Sequence, residues 1–525
     1  MKIFSKEQIY EGDKLTAERQ NISSTDLMER AGKQIFQWLD IRMQGAQVPI
    51  HIFCGIGNNG GDGLVLGRHL ITHGYNVIVY IVNYSDKRSK DFLINYERIK
   101  SVSKSWPIVI EKEDQFPQIG NDDIIVDAVF GIGLNRPATN WVQHLFQHFR
   151  SSGAFTLSVD IPSGMYTDKV PDRPGGVVWA NHTLSFQSPK LVFFLPDTQQ
   201  YTRNWEVLDI GIDQKFLIES QPEAELIGKV EVLSFYKPRD KFSFKNNFGH
   251  CIIIGGSYGK IGAVLLSSRA VMASGAGLVS AYVPKCGYIP IQSSFPEAMV
   301  VTDSSDTEIT SIKLPFKPDA IGIGPGLGTS GKTIASLKSF LSEAKIPLVI
   351  DADMINILAE NEDLLKLVPE NSIFTPHPGE LKRLIGEWKD DFEKIEKSKA
   401  FSRKTNAIIL IKGAHTMIVK GESLFINSTG NQGMATAGAG DVLTGIITGL
   451  IGQKYDPLQA ALFGVYLHGK AADIVVEKTG YQSLIASDII RGIPKAYLDL
   501  FQSPQQSEGA DGSEDRSQKG SDEEE

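Results

Sequence analysis

Hydrophobic positions along the chain switch repeatedly between two periods. Over 24–41 they fall at helical spacing, with Leu27, Ala31, Ile35 and Trp38 on one face. Mainly apolar stretches of strand character follow at 50–54 (IHIFC), 76–82, 122–133, 155–164 and 182–186. Most of these runs end in glycine-rich turns. Continuous apolar strands separated by helical stretches predict parallel sheets covered by helices on both faces. The pattern weakens over 211–245, where KPRDKFSFKNNFG is basic, polar and turn-rich. That places a junction at 214–239, between units of residues 1–213 and 240–500. The alternation restarts at 250–263 and continues through 319–328, 347–353, 372–381 and 407–419. Two helical stretches close the second unit. From 501 to 525 the chain is mainly Ser, Gln, Gly and acids, which predicts a disordered acidic tail. The expected fold class is α/β, in two domains.

Length supports the division, since 525 residues exceed one ordinary core. The net charge is 53 − 62 = −9. Residues 503–525 hold eight acids and two bases, so the rest is near neutral and offers no general nucleic-acid surface. The three cysteines, Cys54, Cys251 and Cys286, are far apart, which argues for a reducing compartment and against disulfides or a zinc site. The start MKIFSKEQIYEGDK lacks the apolar core of a signal peptide, and no apolar stretch reaches membrane-spanning length. A cytoplasmic protein is expected, with no membrane partner.

Chemistry concentrates where strands end. NSTGNQGMATAGAGDVLTGIITGLI (427–451) places Gly430, Gly433, Gly438 and Gly440 ahead of Asp441, then an apolar run. This predicts a glycine loop entering a helix near Gly440, whose free N–H groups and dipole favour an anion. Asp441 there is either a base for a hydroxyl beside a phosphate or a plain helix cap. GNNGGDG (57–63) lacks the Lys and Ser/Thr of a Walker loop, and its Asn and Asp oxygens suit a hard cation or ribose hydroxyls. A sharp strand–helix turn is the alternative. Asp127 and Asp160 end inner apolar runs, so each must be paired, ligated or catalytic, with Lys190 a candidate partner. Ser163 follows Asp160 across Pro162. His377, between Pro376 and Pro378, is a functional or a capping histidine. KGAHT (412–416) is a turn with a cation and donors suited to nucleotide phosphate.

Taken together, GNNGGDG, DAVFGIGLNRP, VDIPSG and FQSPK resemble the NAD(P)HX epimerase family. GPGLG, DADMINIL, TPHPGEL, KGAHT and NQGMATAGAGDVLTG resemble the ADP/ATP-dependent NAD(P)H-hydrate dehydratase family. The order is that of the fused repair enzymes. The resemblance implies a Rossmann-like three-layer first domain and a ribokinase-like second one. It implies that the first interconverts the R and S forms of hydrated NADH and NADPH, and that the second dehydrates the S form with ADP or ATP and Mg²⁺. Carried over by position, Asn58, Asn59, Gly60, Gly61 and Asp62 match substrate contacts, as do the loop Gly131, Ile132, Gly133, Leu134, Asn135, Arg136 and Pro137, and the acid Asp160. Asn59, Asp127 and Ser163 match potassium ligands. In the second unit Ala263, Gly326, His377 and Asp441 match hydrate contacts, while Lys412, Gly413, Ala414, His415, Thr416 and Gly440 match nucleotide contacts. Asp441 and Asp160 are the expected catalytic acids, and a homo-oligomer is expected. The competing reading is a ribokinase-like small-alcohol kinase carrying a non-catalytic N-terminal binding domain.

Overall fold

The computed structural model describes residues 1–102 and 106–502. From 503 onward the tail expected over 501–525 lies outside the described residues. The strands, in chain order, are β1 (Lys2–Ile3), β2 (Ile50–Cys54), β3 (Val77–Val82), β4 (Ile108–Ile110), β5 (Ile124–Ala128), β6 (Phe155–Val159), β7 (Ala180–Phe186) and β8 (Thr202–Leu208). Then come β9 (Ala224–Ile227), β10 (His250–Ile254), β11 (Leu278–Val283), β12 (Met299–Thr302), β13 (Ala320–Ile323) and β14 (Leu348–Ile350). The last four are β15 (Ile373–Phe374), β16 (Ile408–Ile411), β17 (Met417–Lys420) and β18 (Ser423–Asn427).

The first sheet has the order β4-β3-β2-β5-β6-β7-β8, and every pairing is parallel. Its inner strands are buried through their whole length at β2, which explains the unbroken apolar runs. From β2 the chain winds outward to β4, then returns to lay β5 on the other side of β2. The order therefore reverses between β2 and β5. In open α/β sheets a crevice forms outside the carboxyl ends of the strands at such a point. GNNGGDG leaves β2 there and FGIGLNRP leaves β5 there.

The second sheet runs β1-β9-β18-β17-β16-β15-β14-β13-β10-β11-β12. From β16 to β12 it is parallel, while β17 runs antiparallel to both its neighbours. Here the order reverses between β10 and β13, so the crevice lies above the Gly-rich turns after Ile254 and Ile323. Helix Ala439–Gly452, buried along almost its whole length, packs beneath this point against helix Ile261–Ala273.

Two features tie the units together. The stretch 214–239 contains helix Gln214–Glu219 and β9, and β9 carries β1 from the chain start into the second sheet. Leu191–Leu195 pack in one hydrophobic cluster with Phe374, Ile411 and Met417. Beside it, the backbone N–H of Asp197 donates to Asp391 at 2.7 Å and the N–H of Asp391 to Asp197 at 2.8 Å. Among the described residues no helix is long and apolar enough to cross a membrane.

Candidate functional sites

At the β2/β5 crossover lies a cavity of about 430 Å³. Asn58, Asn59, Asp62, Asp160 and the loop Gly131 to Arg136 line it. Pro137 faces a neighbouring cavity instead, and Gly60 and Gly61 lie behind the wall. Their role is support: a Cβ on Gly60 would come within 1.8 Å of the Gly55 carbonyl oxygen, so the helix start can approach the strand end only with glycine there.

Asp160 stands at φ 66, a left-handed conformation costly for a residue with a side chain. Its N–H donates to Leu184 O at 2.7 Å, which holds the turn. Its carboxylate lies 3.0 Å from Lys190 Nζ. Lys190, only 2% exposed, also donates to Ser185 Oγ at 2.8 Å and Ser188 O at 3.0 Å. Lys190 therefore pairs with Asp160 rather than Asp127. This ion pair holds the Asp160 side chain at the cavity wall.

Asp127 lies beneath that wall, fully buried. It accepts from Ser158 Oγ and the Ser163 N–H, each at 2.8 Å, and from Ser163 Oγ. Burial pushes its carboxyl up, against the pull of these hydrogen bonds. No cation pairs with it among the described residues. Asn59, 8% exposed, has a side-chain nitrogen with no partner. Asn59, Asp127 and Ser163 are thus all buried, with Asp127 and Ser163 hydrogen-bonded to each other and the Asn59 side chain against Gly131. Asp62 is pushed well above the ordinary carboxylate range by burial, then by Asp160 and Asp13.

The second site forms over the β10/β13 crossover. Gly438 caps helix Ala439–Gly452 at φ 86, a conformation that glycine reaches without strain. Asp441 lies in the first turn of this helix. Burial, and then Asp351, raise its carboxyl to about 7, while Lys412 opposes the shift. Asp351 ends β14 and is held from two sides: Lys412 Nζ donates to it at 2.7 Å and Thr444 Oγ1 at 2.7 Å. A Cβ on Gly440 would lie 3.2 Å from Lys412 Nζ, so the KGAHT turn and the Gly-Ala-Gly-Asp turn meet. Ser267 Oγ donates to Asp441 O at 2.8 Å and to Ala263 O at 3.1 Å, linking Ala263 to the same place. A Cβ on Gly326, at φ 60, would sit 3.5 Å from the Ala263 methyl. His377 does cap its helix: Nδ1 accepts from Gly379 N–H at 3.0 Å, and the ring also lies 3.2 Å from Glu380. Its neighbour Pro376 accepts from the Lys412 N–H at 3.1 Å, which brings this turn to the site. His415, in the KGAHT turn, packs edge-on against Phe194 of the first unit at 5.2 Å.

The sequence reading did not single out Asp351, Thr444 or His468. His468 is buried, its Nε2 has no partner, and burial followed by the Lys412 charge lowers it to about 4. It also did not single out Asp13 and Tyr10, which line the first cavity from helix Lys6–Gln20. The signal for that helix was present as Ser5 and Gln8, whose side chains form a capping box.

Two family models match the chain. One described as YjeF-related protein N-terminus covers residues 24–192, and one described as NAD(P)H-hydrate dehydratase covers residues 251–495. The bifunctional NAD(P)H-hydrate repair enzyme Nnr of Moorella thermoacetica is 34% identical over 504 residues, spanning 93% of this chain and 95% of its own. Its counterpart from Escherichia coli is 31% identical over 497 residues, spanning 92% and 91%. Among solved structures, a ribokinase-like superfamily protein from Enterococcus faecalis is 28% identical, covering 54% of this chain and 98% of its own at TM-score 0.47. The ADP/ATP-dependent NAD(P)H-hydrate dehydratase from Bacillus subtilis, co-crystallised with ATP/Mg²⁺, is 27% identical, covering 53% and 99% at TM-score 0.47.

Proposed function

The chain belongs to the bifunctional NAD(P)H-hydrate repair enzyme family, and from that premise we propose how its residues divide the work. It is an NAD(P)HX epimerase joined to an NAD(P)H-hydrate dehydratase of ribokinase-like fold. We take 1–213 as the epimerase unit and 240–500 as the dehydratase unit, joined through 214–239. The cavity at β2/β5 holds the hydrated nicotinamide, with Asp160 as its proton-accepting group. The site at β10/β13 dehydrates the S form. There Lys412 to Thr416 and the Gly438–Gly440 backbone hold the phosphates of ADP or ATP, and Ala263, Gly326, His377 and Asp441 hold the hydrate. Lys412 and the helix N-terminus supply the positive potential of the chain itself, and Mg²⁺ accompanying the nucleotide would neutralise phosphate charge.

The observation that carries this reading is Asp441, a carboxyl raised to about 7 at the N-terminus of a glycine-led helix, beside a lysine. The test supplies both hydrate epimers with ADP and follows the reduced-nicotinamide absorbance. Complete recovery is expected, with only the S share recovered when Asp160 is replaced. Turnover of vitamin-precursor alcohols with ATP, and no recovery of absorbance, would favour the kinase reading. His377→Ala should raise the KM for the hydrate and, with its cap lost, cost about 0.5–2 kcal/mol of stability by thermal unfolding.

Potassium fits Asn59, Asp127 and Ser163. Their oxygens suit a hard ion, and a single full charge suits a monovalent one. There the ion would offset the buried Asp127 charge and fix the turns after β5 and β6. A rubidium-soaked crystal should give an anomalous peak at these three residues, and Asp127→Asn should abolish it. A peak absent from the wild-type crystal would remove potassium from the site.

The proposal includes a cytoplasmic homo-oligomer. The three cysteines are free, and Phe242, Phe244 and Tyr258 present apolar surface to solvent. Sedimentation velocity would decide the oligomeric state.

A further inference from the structure

One acid in the epimerase cavity has no assigned role. Helix Lys6–Gln20 is held firmly in place. Its Gly12 approaches Phe216 so closely that an added Cβ would lie 2.7 Å from the ring. One turn on, Thr16 Oγ1 donates to Gly12 O at 2.7 Å and accepts from the Asp213 N–H at 2.9 Å. Asp13 lies between these two anchors and lines the cavity together with Asp160. Among the described residues its carboxylate has no ion pair and no side-chain hydrogen bond. The charged and titratable groups around it are Tyr10 on its own helix, Asp160 after β6, Lys190 after β7, Asp62 on helix Asn58–Thr72 and Arg136 on the loop after β5.

We propose that Asp13 is the second proton-transfer group of the epimerase, acting as the acid where Asp160 acts as the base. This rests on reading the β2/β5 cavity as the epimerase site. The hydrate carries hydroxyl and ring nitrogen on one carbon, C6, so it is a hemiaminal. Asp160, its charge held by Lys190, takes the hydroxyl proton. The C6–N1 bond breaks, its electron pair passes to N1, and C6 becomes an aldehyde carbon. Asp13 gives its proton to N1. Rotation about C5–C6 turns the other carbonyl face to the nitrogen. The ring closes as Asp13 takes the proton back from N1 and Asp160 returns its own to the oxygen. No atom is gained or lost and nothing is oxidised.

The two carboxyl groups differ in the way this division requires. Asp160 has a buried lysine at 3.0 Å as its counter-charge. Asp13 has no such partner, and burial, then the charge of Asp160, push it up to about 6, with Lys190 opposing. Paired carboxyls whose surroundings set them apart are the usual basis for one acid and one base. Helix Lys6–Gln20 precedes the 24–192 match of the N-terminal family model, so carrying residues over motif by motif passes Asp13 by.

The test uses the full chain without nucleotide, so that dehydration is silent. Epimer exchange is followed by chromatography, with the spontaneous rate subtracted, for wild type, Asp13→Asn, Asp13→Glu and Asp160→Asn. Asp13→Asn should lower kcat by about 10²–10⁴, with KM little changed. The wild-type kcat/KM should fall as pH rises through about 6, where Asp13 loses its proton, and Asp13→Asn should lack this limb. Asp13→Glu should recover part of the rate with the limb displaced. If Asp13→Asn fails to fold, the Asp13→Glu profile decides, because an undisplaced limb overturns the proposal. Wild-type kcat, or a change in KM alone, in Asp13→Asn overturns it while Asp160→Asn is inactive. Full activity in both variants would instead remove the cavity as the epimerase site.

Discussion

Asp441→Asn lowers dehydratase kcat by about 10²–10⁴ and leaves nucleotide affinity nearly unchanged. Hydroxide is a poor leaving group, so the C6 oxygen of the hydrate must be protonated or phosphorylated before the ring nitrogen can expel it. The phosphates proposed at Gly438–Gly440 and Lys412 place phosphoryl chemistry beside that hydroxyl. On the proposed reading Asp441 takes the hydroxyl proton as the oxygen attacks. Burial and the Asp351 charge raise it to about 7, so a large share is unprotonated at neutral pH, and what is unprotonated is a stronger base than an ordinary carboxylate. The base form grows as pH rises through about 7, so kcat/KM should show an acidic limb there, and Asp441→Asn should lose it. Asparagine keeps the shape and the helix start but cannot accept the proton. Stopped-flow absorbance at saturating ADP, with nucleotide affinity from calorimetry, measures both quantities. An Asp441→Asn enzyme with wild-type kcat would reduce Asp441 to a helix cap.

The parts of both sites that lie at strand ends were legible in the sequence. A strand buried on both faces is a continuous apolar run, and the polar or glycine residue that ends it marks the carboxyl edge where ligands bind. β2, β5 and β6 show this, and their ends supply Asn58, Asn59, Asp127, Asp160 and Ser163. Helix Lys6–Gln20 was less legible. Its inward positions, Ile9, Gly12, Asp13 and Thr16, are mostly small or polar, because this face borders a cavity as well as the small cluster around Phe216. The two residues of β1 have no periodicity to detect, and their partners in β9 lie more than 200 positions away. Pairing among acids and lysines was also beyond the sequence. Lys190 suited Asp127 and Asp160 equally until the turn after β7 brought it to Asp160. Asp351 stood unremarked inside the 347–353 run, because only the lateral neighbourhood of β14, β16 and helix Ala439–Gly452 sets it against Lys412 and Thr444.

Replacing Asp160 should separate chemistry from stability, because the residue is both the proposed base and half of a buried ion pair. Asp160→Asn removes the proposed base, and epimer exchange should fall by about 10²–10⁴. It also strands the ammonium of Lys190, which is 2% exposed, without its counter-charge. Breaking a buried pair from one side costs about 3–5 kcal/mol in general. Ser185 Oγ, Ser188 O and Phe186 O remain as acceptors for Lys190, so the cost here belongs at the lower end. Lys190→Met should be at least as costly, since it leaves the Asp160 carboxylate near Asp13 and Asp62 without its ion-pair partner. The double variant Asp160→Asn/Lys190→Met removes both charges, and replacing a whole buried pair is often neutral or favourable. Its thermal midpoint should therefore lie above that of either single variant, while its exchange rate stays as low as that of Asp160→Asn. Calorimetry and epimer exchange on the same four proteins measure the two effects separately. Exchange that returns along with the midpoint would mean that the pair only holds the turn after β6, and Asp160 would lose its place as the base.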